Sequence, residues 1–142
     1  MYLLDTNIIS ELRKKQRANA GVRVFFAQLA AQQTPAYLSV ITLGELRRGV
    51  ELIRHRGDIA QAEALSCWLD TLLQDYADHI LDFGADEAQL WGYLRVPHPE
   101  NALDKQIAAT ALIYDLTLVT RNLRDFASTG VRLLNPFETA DE

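Results

Sequence analysis

Five short apolar runs of β character punctuate the chain: Tyr2–Leu4, Ala36–Val40, His79–Phe83, Leu116–Val119 and Val131–Leu134. Between them, apolar residues recur at helical spacing, as in Val22, Phe25, Phe26 and Leu29, or Ile59, Ala62, Leu65, Leu69 and Leu72. Strands that alternate with helices select an α/β fold: a central parallel sheet of about five strands with helices on both faces. The pattern predicts a first helix from Asp5 through Leu12, then helices over Val22–Ala31, Ile41–Arg56, Ile59–Tyr76, Asp86–Val96 and Leu103–Tyr114. Pro35, Gly57, Gly84 and the run from Pro97 to Asn101 break them. The segment from Thr120 to Phe126 reads as a loop.

The chain has 142 residues, which suits one domain spanning 1–142. Hydrophobic residues make up 49% and charged ones 23%, enough apolar material to exclude disorder over the whole length. Cys67 is the lone cysteine, so a disulfide scaffold is excluded. No run approaches the roughly 18 apolar residues of a membrane helix. The start, Met1-Tyr2-Leu3-Leu4-Asp5, lacks the basic and apolar regions of a signal peptide. A cytoplasmic location, with no membrane contact, is the expectation.

Net charge is −5, which taken alone argues against a nucleic-acid binder. Its distribution argues otherwise. Residues 1–57 hold nine Lys/Arg against four acids, whereas 58–142 hold five against fifteen. Such asymmetry suits an interaction face as well as an uneven solvated surface. No Gly-rich phosphate loop and no G-x-S-x-G elbow is present. The histidines are scattered and none is spaced from Cys67 as a zinc ligand. Trp68, Tyr76, Trp91 and Tyr93 stand at helical spacings and read as core or interface rather than stacking platforms.

Ligands of an open parallel sheet bind outside the carboxyl ends of its strands. Asp5 ends the first strand, where capping a helix with Thr6 is its plainer role. On a helical wheel, Glu45 falls within the apolar arc of Ile41–His55, while Arg47, Arg48, Glu51 and Arg54 face outward. An inward carboxylate must be paired, protonated or metal-bound, and a salt bridge to a residue such as Arg23 is the competing account. Asp104 sits in the first turn of the predicted helix Leu103–Tyr114, where an acid also complements the macrodipole. Asp125 lies six residues beyond Val119, with Thr120 and Asn122 beside it. Each acid has a bland explanation. One joint explanation covers all four: a carboxylate site for Mg²⁺ or Mn²⁺, hard cations that take oxygen ligands.

Four segments resemble a known family: Leu4-Asp5-Thr6-Asn7, the run S-V-I-T-L-G-E-L from Ser39, the run D-K-Q-I-A-A-T-A from Asp104, and L-V-T-R-N-L-R-D-F from Leu118. Together with Leu133-Leu134-Asn135-Pro136-Phe137 they look like a PIN domain of the VapC type, in its FitB-like branch. The resemblance runs from residue 1 to about 137. It implies a PIN-like three-layer sandwich and the toxin of a toxin–antitoxin pair. It further implies Mg²⁺-dependent endoribonuclease activity, with Mn²⁺ a possible substitute. By that likeness Asp5, Glu45, Asp104 and Asp125 form the metal and catalytic site, supported by Thr6, Asn7, Thr120 and Asn122. The likeness also implies an RNA substrate, a small DNA-binding antitoxin, a homodimer built into a larger complex, and DNA contact only through the antitoxin.

Arg47 and Arg48, with Arg54 and the run from Arg13 to Arg17, are candidates for RNA phosphates or for the antitoxin. The apolar face of Ile59–Leu73 is a candidate dimer surface. Non-enzymatic readings stay open: a PIN-like module that binds RNA or protein without cutting it. A receiver-type phospho-acceptor is disfavoured because Lys14, Lys15 and Lys105 are misplaced for it. A small-molecule phosphatase lacks a phosphate loop.

Overall fold

Side chains alternate across a strand, and here that alternation sorts the core into two layers. Leu4, Ala36, Leu38 and Val119 point to one side, against Ile8, Phe25, Leu29, Leu46, Val50 and Leu69. Leu3 and Leu118 point to the other, against Ile107, Ala108, Ala111 and Phe126. The computed structural model describes residues 1–141, with side chains through Glu138.

The elements are β1 (Tyr2–Leu4), α1 (Thr6–Leu12), α2 (Ala20–Gln32), β2 (Ala36–Ser39), α3 (Val40–His55), α4 (Ile59–Asp75), β3 (Ile80–Leu81), α5 (Ala85–Leu94), α6 (Ala102–Ile113), β4 (Thr117–Val119), α7 (Leu123–Phe126) and β5 (Leu133–Leu134). The five strands form one sheet in the order β3-β2-β1-β4-β5, and every neighbouring pair is parallel. Helices α1 to α4 build the first layer, and α6 and α7 the second, with α5 packed on α6. The three-layer α/β architecture expected from the sequence is present.

Local chemistry sets the boundaries. Asn19 caps α2 by accepting from the amides of Gly21 (2.8 Å) and Val22 (3.3 Å). Ser39 caps α3 through the Ile41 amide at 3.0 Å. Gly57 joins α3 to α4 with φ +98°, a conformation that strains any side chain with a Cβ. The third strand is shorter than predicted. The His79 amide donates to the Tyr76 carbonyl at 2.7 Å in a helical turn, leaving only Ile80 and Leu81 to pair with Leu38 and Ser39. The apolar face of α4 packs inward, with Ala62, Leu69 and Leu72 buried and Ile59 left exposed. No described helix is long and apolar enough to cross a membrane.

One element appears where a loop was expected. Leu123–Phe126 is a short helix, α7, held by Phe126, which is fully buried against the α6 side of the sheet. Removing that ring leaves a cavity under the segment that carries Asp125. Phe126→Ala is expected to destabilise the fold by about 3–5 kcal/mol, read from the midpoint shift of urea unfolding.

Candidate functional site

The strand order reverses its direction of growth between β1 and β4, and that switch point is where an open parallel sheet offers a crevice. Asp5 is the first residue past β1 and Thr120 the first past β4. Both remain tied to the sheet: the Asp5 amide donates to the Val119 carbonyl and the Thr120 amide to the Leu134 carbonyl, each at 2.9 Å. Both side chains are buried.

Asp5 caps α1 and stands among the candidate acids. Its Oδ1 accepts from the Thr6 amide at 2.8 Å. Its Oδ2 accepts from the Thr120 hydroxyl at 2.7 Å and from Asn7 Nδ2 at 3.3 Å. The Thr120 oxygen in turn accepts from Asn7 Nδ2 (3.3 Å) and from the Asn122 amide (3.0 Å). Asn7 Oδ1 accepts from the Arg121 amide at 3.1 Å, which pins the loop after β4. Of the predicted supporting residues, Asn122 contributes its main chain to this network. Its side chain is outside it.

Glu45 lies one and a half turns into α3, half-buried, and its Oε1 accepts from the Thr6 hydroxyl at 3.0 Å. The salt bridge to Arg23 is not formed: Arg23 Nε donates to the Ala18 carbonyl at 3.2 Å. Asp104, in the first turn of α6, and Asp125, in α7, complete the group. The four acids lie close enough to feel one another. Burial, and after it the charges of Asp5, Asp125 and Glu45, push the Asp104 carboxyl up to about 6. Burial raises Asp5 as well, with the charge of Asp125 adding to the rise while its hydrogen bonds oppose it. Glu45 is raised by burial and by Asp5, against the Thr6 hydrogen bond.

None of the four forms an ion pair among the described residues. The donor set is all oxygen and carries excess negative charge, which fits a hard divalent cation. The cage is not drawn closed: among the described residues no three His, Cys, Asp or Glu side chains stand ready to ligate one ion together. The fit is therefore one of donor chemistry and shared charge, with the side chains needing to draw inward on an ion.

The candidate arginines have different placements. Arg47 reaches α4, with Nη1 3.1 Å from Ser66 Oγ and Nη2 3.6 Å from Asp70. Arg54 pairs with Glu51 and Glu63. Arg48 is exposed and without a partner among the described residues. Two arginines that sequence reasoning did not single out stand beside Asp125: Arg121 and Arg124 line an open surface with it and Asn122. Their signal lay in the run from Leu118 to Phe126, which sets them on either side of Asn122. Lys105 was also unanticipated: it is buried, and its ammonium donates to the His98 carbonyl, fastening the loop that leads into α6.

A PIN domain family model matches residues 2–131. The toxin FitB of Neisseria gonorrhoeae is 36% identical over 143 residues, covering 96% of this chain and 99% of that protein. The VapC ribonuclease Y4jK of Sinorhizobium fredii is 31% identical, covering 99% of this chain and all of its own. Among solved structures, FitAcB from Neisseria gonorrhoeae matches with a TM-score of 0.82 at 34% identity, over 96% of this chain and 99% of that one. VapBC2 from Rickettsia felis, bound to a DNA fragment from its promoter, matches at 0.72 and 27% identity, over 94% and 97%.

The raised carboxyls carry a sign. An acid whose folded pKa lies above its unfolded value stabilises the fold below the unfolded pKa and loses that contribution as pH rises through the folded one. For Asp104 that window runs from its ordinary 3.8 to about 6. In chelator, Asp104→Asn is expected to melt above the wild type at pH 7, and the difference should shrink below pH 5. Thermal unfolding of both proteins across pH 4–7 reads it.

Proposed function

The chain belongs to the PIN-domain family, and from that premise we propose that it is the toxin of a type II toxin–antitoxin system, acting as a Mg²⁺-dependent endoribonuclease. One observation supports this most: four unpaired carboxylates grouped at the switch point of a parallel sheet, with Asp5, Glu45 and Asp104 each raised in part by a neighbouring acid. A divalent cation bound there supplies charge neutralisation and an activated water for phosphodiester hydrolysis.

The chain's own residues then have separable tasks. Asp5, Asp104 and Asp125 offer oxygen ligands. Thr120, Asn7 and the Thr6 amide fix the Asp5 carboxylate, so its free lone pairs keep one direction. Glu45, steadied at Oε1 by Thr6, holds the ion as well or orients the attacking water. The water oxygen joins phosphorus, its proton passes to a carboxylate, and the 3′-oxygen leaves and takes a proton from solvent. Arg48, Arg121 and Arg124 are placed for RNA phosphates, while Arg47 needs to leave Asp70 to join them.

The partners proposed are a co-encoded DNA-binding antitoxin and a second copy of this chain, with DNA reached through the antitoxin, in the cytoplasm. Relatives named as toxins, and the DNA-bound VapBC2 structure, support that assignment.

Antitoxin-free protein is to be incubated with total cellular RNA and Mg²⁺ or Mn²⁺. Discrete fragments are expected that vanish with EDTA and with a folded Asp5→Asn variant. Thr120→Val, which removes only the hydroxyl that steadies Asp5, is expected to slow cleavage by about 10–100-fold. Intact RNA with both metals, from folded protein, would move the assignment to a binding module.

A further inference from the structure

A pocket of about 210 Å³ opens beside the acids, between α1, α3 and α4. Thr6 and Glu45 are among its lining residues, so whatever fills it adjoins the acid site. Its floor is aliphatic, from α3 and α4. Its remaining wall is polar or aromatic: Ser10, Arg13, Gln61 and Trp68. The Ser10 hydroxyl, the Arg13 guanidinium, the Gln61 side-chain amide and the Trp68 indole N–H have no partner among the described residues; Gln61 engages Asp58 through its main chain alone.

We propose that this pocket receives one nucleobase of single-stranded RNA, next to the phosphodiester being cut, and thereby sets the sequence preference of cleavage. The inference rests on the ribonuclease reading and deepens it. Three features choose a base over a peptide side chain. The pocket is smaller than the roughly 300–1,000 Å³ of a drug-sized site, which suits a single ring system. Unpaired bases are read by stacking on aromatic side chains together with hydrogen bonds to their edges. Trp68 offers the aromatic surface, and Gln61 and Ser10 offer donors and acceptors that an apolar side chain would leave unsatisfied. Arg13 stands at the pocket with its charge uncommitted and opens the run Arg13-Lys14-Lys15, which suits the adjoining phosphates. Trp68 packs against the core, as its helical spacing suggests, and its ring also borders the pocket, where it offers the stacking surface.

Two measurements test this. In the first, tryptophan fluorescence is followed while four single-stranded homo-oligoribonucleotides are added in Ca²⁺. Saturable quenching is expected, at least tenfold tighter for one base than for the weakest. It should disappear in Trp68→Phe and weaken about tenfold in Gln61→Ala. In the second, the ends produced from total RNA are sequenced for wild type and Gln61→Ala. Among the ends that the variant produces, the base preference at one position beside the cut should fall about tenfold. Cleavage with an unchanged preference at every position, and quenching indifferent to Trp68, would overturn the subsite while leaving the nuclease intact, and would give the pocket to a protein partner. Trp68-dependent quenching without any cleavage would instead sink the nuclease reading and keep the base pocket.

Discussion

The structure depends on one buried hydrogen bond, from the Thr120 hydroxyl to Asp5 Oδ2 at 2.7 Å. It joins the ends of β1 and β4 where the chain connections diverge. Through the other oxygen of the same carboxylate, α1 is capped and its direction fixed. Through the same hydroxyl and Asn7, the loop leading to Asp125 is held. A hydrogen bond to a charged group is worth about 1.5–3 kcal/mol net, so this junction is a sizeable fraction of a domain's stability. It is also the innermost point of the acid site. Fold and chemistry therefore share a residue, and neither role explains Asp5 without the other.

That sharing produces tension. Asp5, Glu45 and Asp104 all bind their protons more tightly than free acids do, because burial and mutual repulsion oppose their ionisation. Pairing them with lysine or arginine would relieve the strain and close the site to a cation. The chain avoids this. Arg47 and Arg54 are engaged by acids of α3 and α4, Arg23 by a carbonyl, and Lys105 by the His98 carbonyl. Arg13, Arg48 and Arg124 are among the cations that stand exposed and uncommitted. Arg13 shares a pocket with Glu45, and Arg121 and Arg124 border Asp125, which is the local positive charge the proposed polyanionic substrate requires despite a net charge of −5.

Much of this was legible in the sequence, for definable reasons. The apolar runs at Tyr2–Leu4 and Leu116–Val119 have the length and bounding residues of buried strands, so the sheet and its carboxyl edge followed. Glu45 was legible because a carboxylate inside an apolar arc violates the pattern around it. What escaped depends on tertiary contact. Four residues are too few to show a period, so α7 is visible only once Phe126 is seen buried. His79 reads as strand, yet a turn bond to Tyr76 takes it. The engagement of Arg47 by Asp70 joins residues on two helices, which spacing along one helix does not register. Trp68 was legible as core, but that its ring also borders a pocket depends on packing between α3 and α4.

The central claim is that the four carboxylates hold one cation site between them. Titrating the wild-type protein with Mn²⁺ at pH 6, by calorimetry in buffers of different ionisation enthalpy, tests it most directly. The account predicts saturable binding with proton release, because Asp104 is partly protonated there. It predicts less release at pH 8, and weakened binding in Asp5→Asn and Asp104→Asn alike. Folded wild-type protein that takes up no Mn²⁺, or binds it unchanged in both variants, would contradict it.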